Sequence, residues 1–236
     1  MATSRDESAR VSRVGDVVSA IVSGYLSGTI ALFGGGPFTA NDELDQVLLA
    51  GRSRVTVVPT ADAFERPAEL IDRAHVWGER LGVEVEPLMA ITRPDASNSD
   101  LVAIAERSEA VWLVGDSPIH LRTVMTNTPL WTAITGVLER GGVLAAIAGS
   151  AAALCDPMTD PRGGALTIGL GLVSPFAVFT ETETWTPERL QRARQLAGDV
   201  AVAELPTGSA IVGRGDGASR VWETIGSVTL HGELPR

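Results

Sequence analysis

Across its first two-thirds the chain alternates short apolar runs with segments of helical periodicity, and this alternation restricts its fold more than any other feature. The runs are "TIALFGGG" (29–36), "RVTVVP" (54–59), "VEVEPLM" (83–89), "AVWLVGDS" (110–117) and "VLAAIA" (143–148). Continuous β-branched and apolar runs closed by glycine or proline read as strands buried on both faces. Between them, "RPAELIDRAHVWGERLG" (66–82) places Leu70, Ala74, Trp77 and Leu81 on one helical face, with Gly82 at the C-cap. "DLVAIAERSE" (100–109) reads as a second helix. "NTPLWTAITGVLERGG" (127–142) opens with Thr128 as N-cap and Pro129 at the first helical position. Its apolar stripe is Leu130, Ile134, Val137 and Leu138. The pattern predicts an α/β fold of three layers, a mostly parallel sheet flanked by helices.

The remaining third reads as a strand ("FAVFTETETW", 176–185), a helix capped by Thr186 and Pro187 ("TPERLQRARQLAG", 186–198) and late strands. These are "VAVAEL" (200–205), "SAIVGR" (209–214) and "SVTLHG" (227–232), separated by the turn signals Pro206-Thr207-Gly208 and Gly215-Asp216-Gly217. There is no internal repeat, low-complexity tract or linker, so residues 28–236 are expected to form one domain. Residues 1–27 are an N-terminal extension with a short helix at 14–26. That apolar stretch is broken by serines and a glycine and is too short to span a bilayer. The expectation is a soluble cytoplasmic protein.

The formal net charge is -10, and every one of the 19 cationic side chains is an arginine. This disfavours a nucleic-acid partner and removes Schiff-base and P-loop lysine chemistry. A single cysteine, Cys155, cannot form an internal disulfide and reads as a buried core thiol. No His or carboxylate spacing suggests a metal, and no cofactor is expected.

In a parallel sheet, ligands gather at the carboxyl ends of the strands. Those ends carry Gly34-Gly35-Gly36-Pro37-Phe38, Pro59-Thr60-Ala61, Gly115-Asp116-Ser117-Pro118 and Gly149-Ser150-Ala151. The last is a strand, a sharp turn with a serine, and a small-residue helix, the setting of a nucleophile elbow. A serine at such a turn equally serves as a helix N-cap. The outer glycines of the elbow pattern G-x-S-x-G are alanines here, Ala148 and Ala152. His75, between Asp72 and Glu79, reads as a surface residue, and His231 as an edge or tail residue. His120 follows the Gly115 turn and reads either as a helix-start residue bound to backbone or as part of the site.

Taken in order, "LFGGGPF", "VTVVPTADAFERP", "AVWLVGDSPIHLR", "TPLW", "GGVLAAIAGSAAALCDPMTDPRGGA", "GLGLV" and "TETETW" resemble the cyanophycinase and dipeptidase E family of serine peptidases. The resemblance runs from about Thr29 to the last strand and implies a fold similar to class I glutamine amidotransferases. It places the family serine motif G-x-S-A-G-A on residues 148–153, with Ser150 as nucleophile. It implies an oxyanion hole from Gly115, Asp116 and Ala151. It implies binding roles for Gly35, Gly36, Ser117, His120, Arg122 and Arg162, and a small peptide or acidic small molecule as ligand. The family histidine falls on Glu181, aligned on Trp185, and no histidine lies between Ser150 and His231. A serine hydroxyl without a base in reach is a poor nucleophile.

Three readings follow from that departure. The first is a degenerate homologue that binds a ligand and hydrolyses it slowly or not at all. The second is an active peptidase in which Glu181 is the base, its pKa raised by burial and by Glu183. The third recruits His120. A non-catalytic binding or assembly module, pairing as a homodimer or with an intact paralogue, is the alternative from another class. Glutamine amidotransfer is disfavoured because it uses a cysteine where this chain has Ser150.

Overall fold

The computed structural model describes residues 28–215 and 220–235. The expected helix at 14–26 and part of the expected turn at 215–217 lie outside the described residues. Strands are numbered β1 (Thr29–Phe33), β2 (Arg54–Val58), β3 (Glu84–Pro87), β4 (Ala110–Leu113), β5 (Val143–Ile147), β6 (Met158–Thr159), β7 (Leu166–Thr167), β8 (Phe176–Thr180), β9 (Ala201–Leu205), β10 (Ala210–Arg214), β11 (Val221–Ile225) and β12 (Thr229–His231). Helices are α1 (Asp42–Leu48), α2 (Pro67–Leu81), α3 (Ser99–Arg107), α4 (Pro118–Met125), α5 (Pro129–Glu139), α6 (Gly149–Leu154) and α7 (Pro187–Ala197).

All five apolar runs become strands of one sheet, parallel in the order β1-β5-β4-β2-β3. β10 and β11 extend it antiparallel beyond β1 to seven strands. Side chains alternate between faces with period two. Ile30, Leu32, Val111, Leu113, Leu144 and Ala146 meet α3, α4, α5 and α6 on one face. Ala31, Phe33, Val57, Trp112, Ala145 and Ile147 meet α1 and α2 on the other. The sheet is therefore the middle of three layers, as the alternation predicted.

Local signals hold where expected. Gly82 ends α2 at φ 74°, and Leu70, Ala74 and Trp77 are buried beneath that helix. Thr128 accepts the Trp131 N–H to cap α5, and Thr186 accepts the Arg189 N–H to cap α7. The late strands divide: "SAIVGR" joins the main sheet as β10, whereas β9 and β12 form a second sheet with β8 in the order β12-β9-β8. α7 covers that sheet through Ala193 and Ala197, packed with Phe179 and Val202. Short elements escaped the periodicity: seven-residue α1, the two-residue β6 and β7, and β11. Among the described residues no helix is long and apolar enough to cross a membrane.

The parallel strands bring the ends of β1, β2, β4 and β5 to one edge of the sheet. β8 delivers its end to the same place, because the Glu181 N–H donates to the Gly34 carbonyl at 3.1 Å.

Candidate functional site

The turn between β5 and α6 is built differently from the sequence expectation. The residue that turns the chain is Ala148, at φ 57° and ψ -129°, a conformation that non-glycine residues rarely adopt. α6 begins at Gly149, so Ser150 already lies inside the helix. Ser150 is fully buried, its N–H donates to the Gly115 carbonyl at 2.9 Å, and its Oγ donates to the same oxygen at 3.3 Å. The expected place of Ser150 at the turn is therefore corrected: the turning residue is two positions earlier and carries a methyl group.

The Ala151 donor of the expected oxyanion hole is corrected with it. Gly115, at φ 124°, turns its carbonyl oxygen toward Ser150 and so presents an acceptor there. The Ala151 N–H is taken up by the Ala148 carbonyl at 3.0 Å. The Asp116 peptide lies directly on the start of α6, where a Cβ at Gly149 would come within 2.5 Å of the Asp116 carbonyl carbon and oxygen. Glycine at 149 is what permits this approach.

Beside the turn is a cavity of about 220 Å³. Asp116, Gly149, Thr180, Glu181, Trp185 and Arg189 are among the residues that line it. Glu181 reaches it from a left-handed backbone conformation, φ 51° and ψ 40°, just after β8. Its side chain lies against Gly35, where a Cβ would fall 2.6 Å from Glu181 Cγ. Burial raises the Glu181 pKa, and the negative charges of Asp116 and Glu183 raise it further. Glu183 thus acts in the expected sense, although from a 3₁₀ turn (Thr182–Thr184) and not from a strand. Its own carboxylate, despite some burial, is held below the usual range by hydrogen bonds from Thr207.

Asp116 is raised as well, first by loss of water around it and then by Glu65, with Arg73 opposing. Asp62, next along the same edge, is raised by burial and by Asp116. Neither Asp116 nor Glu181 makes a side-chain hydrogen bond or ion pair with the described residues. Also in the lining, Arg189 lies 3.9 Å over the Trp185 ring and donates to the Pro161 carbonyl. Trp185 in turn stacks on Phe179 with 5.3 Å between ring centroids.

The other expected binding residues are not brought into this cavity. His120 Nε2 pairs with the Ile91 carbonyl at 2.8 Å and its ring meets Phe64 edge-on, which is the backbone-bound alternative. Arg162 is exposed and paired with Asp160. Arg122 on α4 is half-buried and does not line the cavity. The Ser117 N–H donates to the Ala61 carbonyl as α4 starts. Gly36 holds the loop after β1, its carbonyl accepting the Ala40 N–H. Sequence reasoning missed Arg189, since it looked for cations near Ser150 in the chain. The available signal was its place four residues after Trp185, at the start of a capped helix. Cys155 is buried as expected, its thiol pushed up to about 12 by burial. Among the described residues no three His, Cys, Asp or Glu side chains converge as a metal site.

No protein-family profile matches the sequence, and no curated protein matches it significantly. Solved structures do match. A peptidase from an acI-B1 Actinobacterium superposes with a TM-score of 0.72 at 22% identity, covering 87% of this chain and 98% of its own. A candidate Peptidase E from Listeria monocytogenes EGD-e superposes with a TM-score of 0.62 at 16% identity, covering 85% of this chain and 100% of its own. With the sheet order and the cavity at its carboxyl edge, these matches show that the chain has the peptidase E-like α/β fold.

Proposed function

We propose that this protein is a non-hydrolytic member of the cyanophycinase and dipeptidase E group. On this reading its cavity binds a small ligand bearing an ammonium or guanidinium group. The observation that carries the loss of hydrolysis is the strained apex at Ala148, which has no nucleophilic atom. Read on that apex, the motif G-x-S-A-G-A falls on residues 146–151, with Ala148 at the serine and Ser150 at the second glycine. Glu181 replaces the histidine. Both partners of the Ser-His pair are then absent, and what such a site retains is binding.

The ligand class follows from charge. Asp116 and Glu181 face one cavity, repel one another and have no cation among the described residues bonded to them. A cationic group seated between them would relieve both the repulsion and the cost of burial. Arg189, in the same lining, would meet a carboxylate on the same ligand. This reverses the acidic ligand expected from the resemblance.

Thermal-shift and calorimetric titration with arginine amide, putrescine and succinate test the reading. The two cations are expected to stabilise the protein, and Asp116→Asn and Glu181→Gln each to weaken them roughly tenfold or more. Stabilisation by succinate alone, or cation binding indifferent to both substitutions, would overturn it. The raised pKa of Glu181 favours a second reading, hydrolysis with Glu181 as base. That reading requires the Ser150 hydroxyl to leave the Gly115 carbonyl and enter the cavity.

A further inference from the structure

On the opposite face of the sheet, a carboxylate is enclosed in the apolar core. Asp45 of α1 is 1% exposed. Its two oxygens each accept one indole N–H: Oδ2 from Trp77 of α2 at 3.1 Å, and Oδ1 from Trp112 of β4 at 3.2 Å. The two indole rings lie 6.0 Å apart, and Phe38 packs on Trp77 at 5.2 Å. Among the described residues no cation bonds to Asp45. The charged groups whose fields reach it are Asp42, one turn earlier on α1, and Arg80, one turn later than Trp77 on α2. Arg80 is itself held outside the core by the Asp42 carboxylate and the Phe38 carbonyl. β4 contributes only apolar neighbours to Trp112.

The same helix is tied, through Gly35, to the Glu181 side chain. The Asp45 N–H donates to the Asn41 carbonyl at 2.8 Å, closing the first turn of α1. Asn41 Nδ2 donates to the Gly35 carbonyl at 3.0 Å. Gly35 is the residue against which the Glu181 side chain lies.

We propose that Asp45, Trp77 and Trp112 form a buried proton-binding switch that couples pH to the seating of α1 and, through Asn41 and Gly35, to the Glu181 side chain that lines the cavity. Burial pushes the Asp45 carboxyl up to about 7, the Trp112 and Trp77 bonds oppose that rise, Asp42 adds to it and Arg80 opposes it. Below neutrality the carboxyl is neutral and suits its apolar surroundings. Above neutrality it carries a charge met by only two neutral donors, a poor exchange for water. α1 is short and bounded by loops, so its outward movement is the least costly way to admit water or Arg80. None of this depends on what the cavity binds.

The test combines tryptophan fluorescence between about pH 5 and 9 with hydrogen exchange of the 38–50 segment, corrected for intrinsic rates. Wild type should show a one-proton fluorescence transition near neutrality, absent from Asp45→Asn. Protection of α1 should fall roughly tenfold from pH 6 to pH 8 in wild type and stay level in Asp45→Asn. Trp77→Phe and Trp112→Phe should each move the midpoint upward, since each deletes a donor to the charged form. A transition that persists in Asp45→Asn, or α1 protection that ignores pH in wild type, would overturn the proposal. If Asp45→Asn does not fold, the tryptophan variants decide: an unmoved or lowered midpoint sinks it.

Discussion

Gly149 shows how one missing carbon atom sets the site. A methyl there would fall 2.5 Å from the carbonyl carbon and oxygen of Asp116, both backbone atoms with little room to yield. Gly149→Ala should therefore destabilise the protein by about 1–3 kcal/mol, read by urea unfolding, and should displace the Asp116 loop. Asp45 makes the opposite kind of statement, in proton binding. Its folded pKa of about 7 lies above the ordinary carboxylate value of 3.8. The folded state therefore holds the proton more tightly than the unfolded chain. The associated stability is complete below about pH 4 and is lost as pH rises through about 7, a change on the order of 4 kcal/mol. Urea midpoints should fall between pH 5 and 8 in wild type, and Asp45→Asn should flatten that slope. A slope that Asp45→Asn leaves unchanged would assign it to Asp62, Asp116 and Glu181, which are shifted in the same direction.

Among the elements, the second sheet depends on a buried ionic junction. Glu204 of β9 is 5% exposed and accepts both Arg194 of α7 and His231 of β12. His231, read from sequence as an edge or tail residue, is thus the clasp of the last strand. Glu204→Gln removes the charge that holds both partners and should cost about 2–4 kcal/mol in chemical unfolding. α7, β9 and β12 should lose hydrogen-exchange protection before the main sheet does. Elements with both faces or one whole stripe buried were legible, because periodicity records burial: β1, β5, α2 and α5 are cases. α1 was not, since seven residues hold too few repeats to register. The elbow was misread for a related reason. The stretch 145–153 is almost all alanine, glycine and serine, so no side chain marks where the strand ends. The only hydroxyl drew the motif to itself, whereas the strained dihedrals of Ala148 are a property of the folded backbone alone.

At the scale of the whole molecule, one sheet carries two separate groups of acid with no ion-pair partner among the described residues. One face encloses Asp45, and the carboxyl edge carries Asp62, Asp116 and Glu181, the last two of which line the cavity. The chain has a formal net charge of -10, with 29 acidic side chains against 19 arginines and no lysine. The fold was legible because five strands and their helices all obey the same alternation. The cavity was legible only in part: Asp116 and Glu181 were found, the first from the strand-end rule and the second from the resemblance. Trp185, just before α7, and Arg189, in its first turn, complete it, and the place of that helix depends on the second sheet.

The central claim is that the peptidase-like turn has lost its nucleophile. Intact-mass measurement of the purified protein after treatment with a fluorophosphonate, between about pH 5 and 8 where a raised carboxylate or a histidine would titrate, tests it most directly. The account predicts no adduct on wild type at any pH in that range, and an adduct on Ala148→Ser combined with Glu181→His. A wild-type adduct that maps to Ser150 and disappears in Ser150→Ala would contradict it.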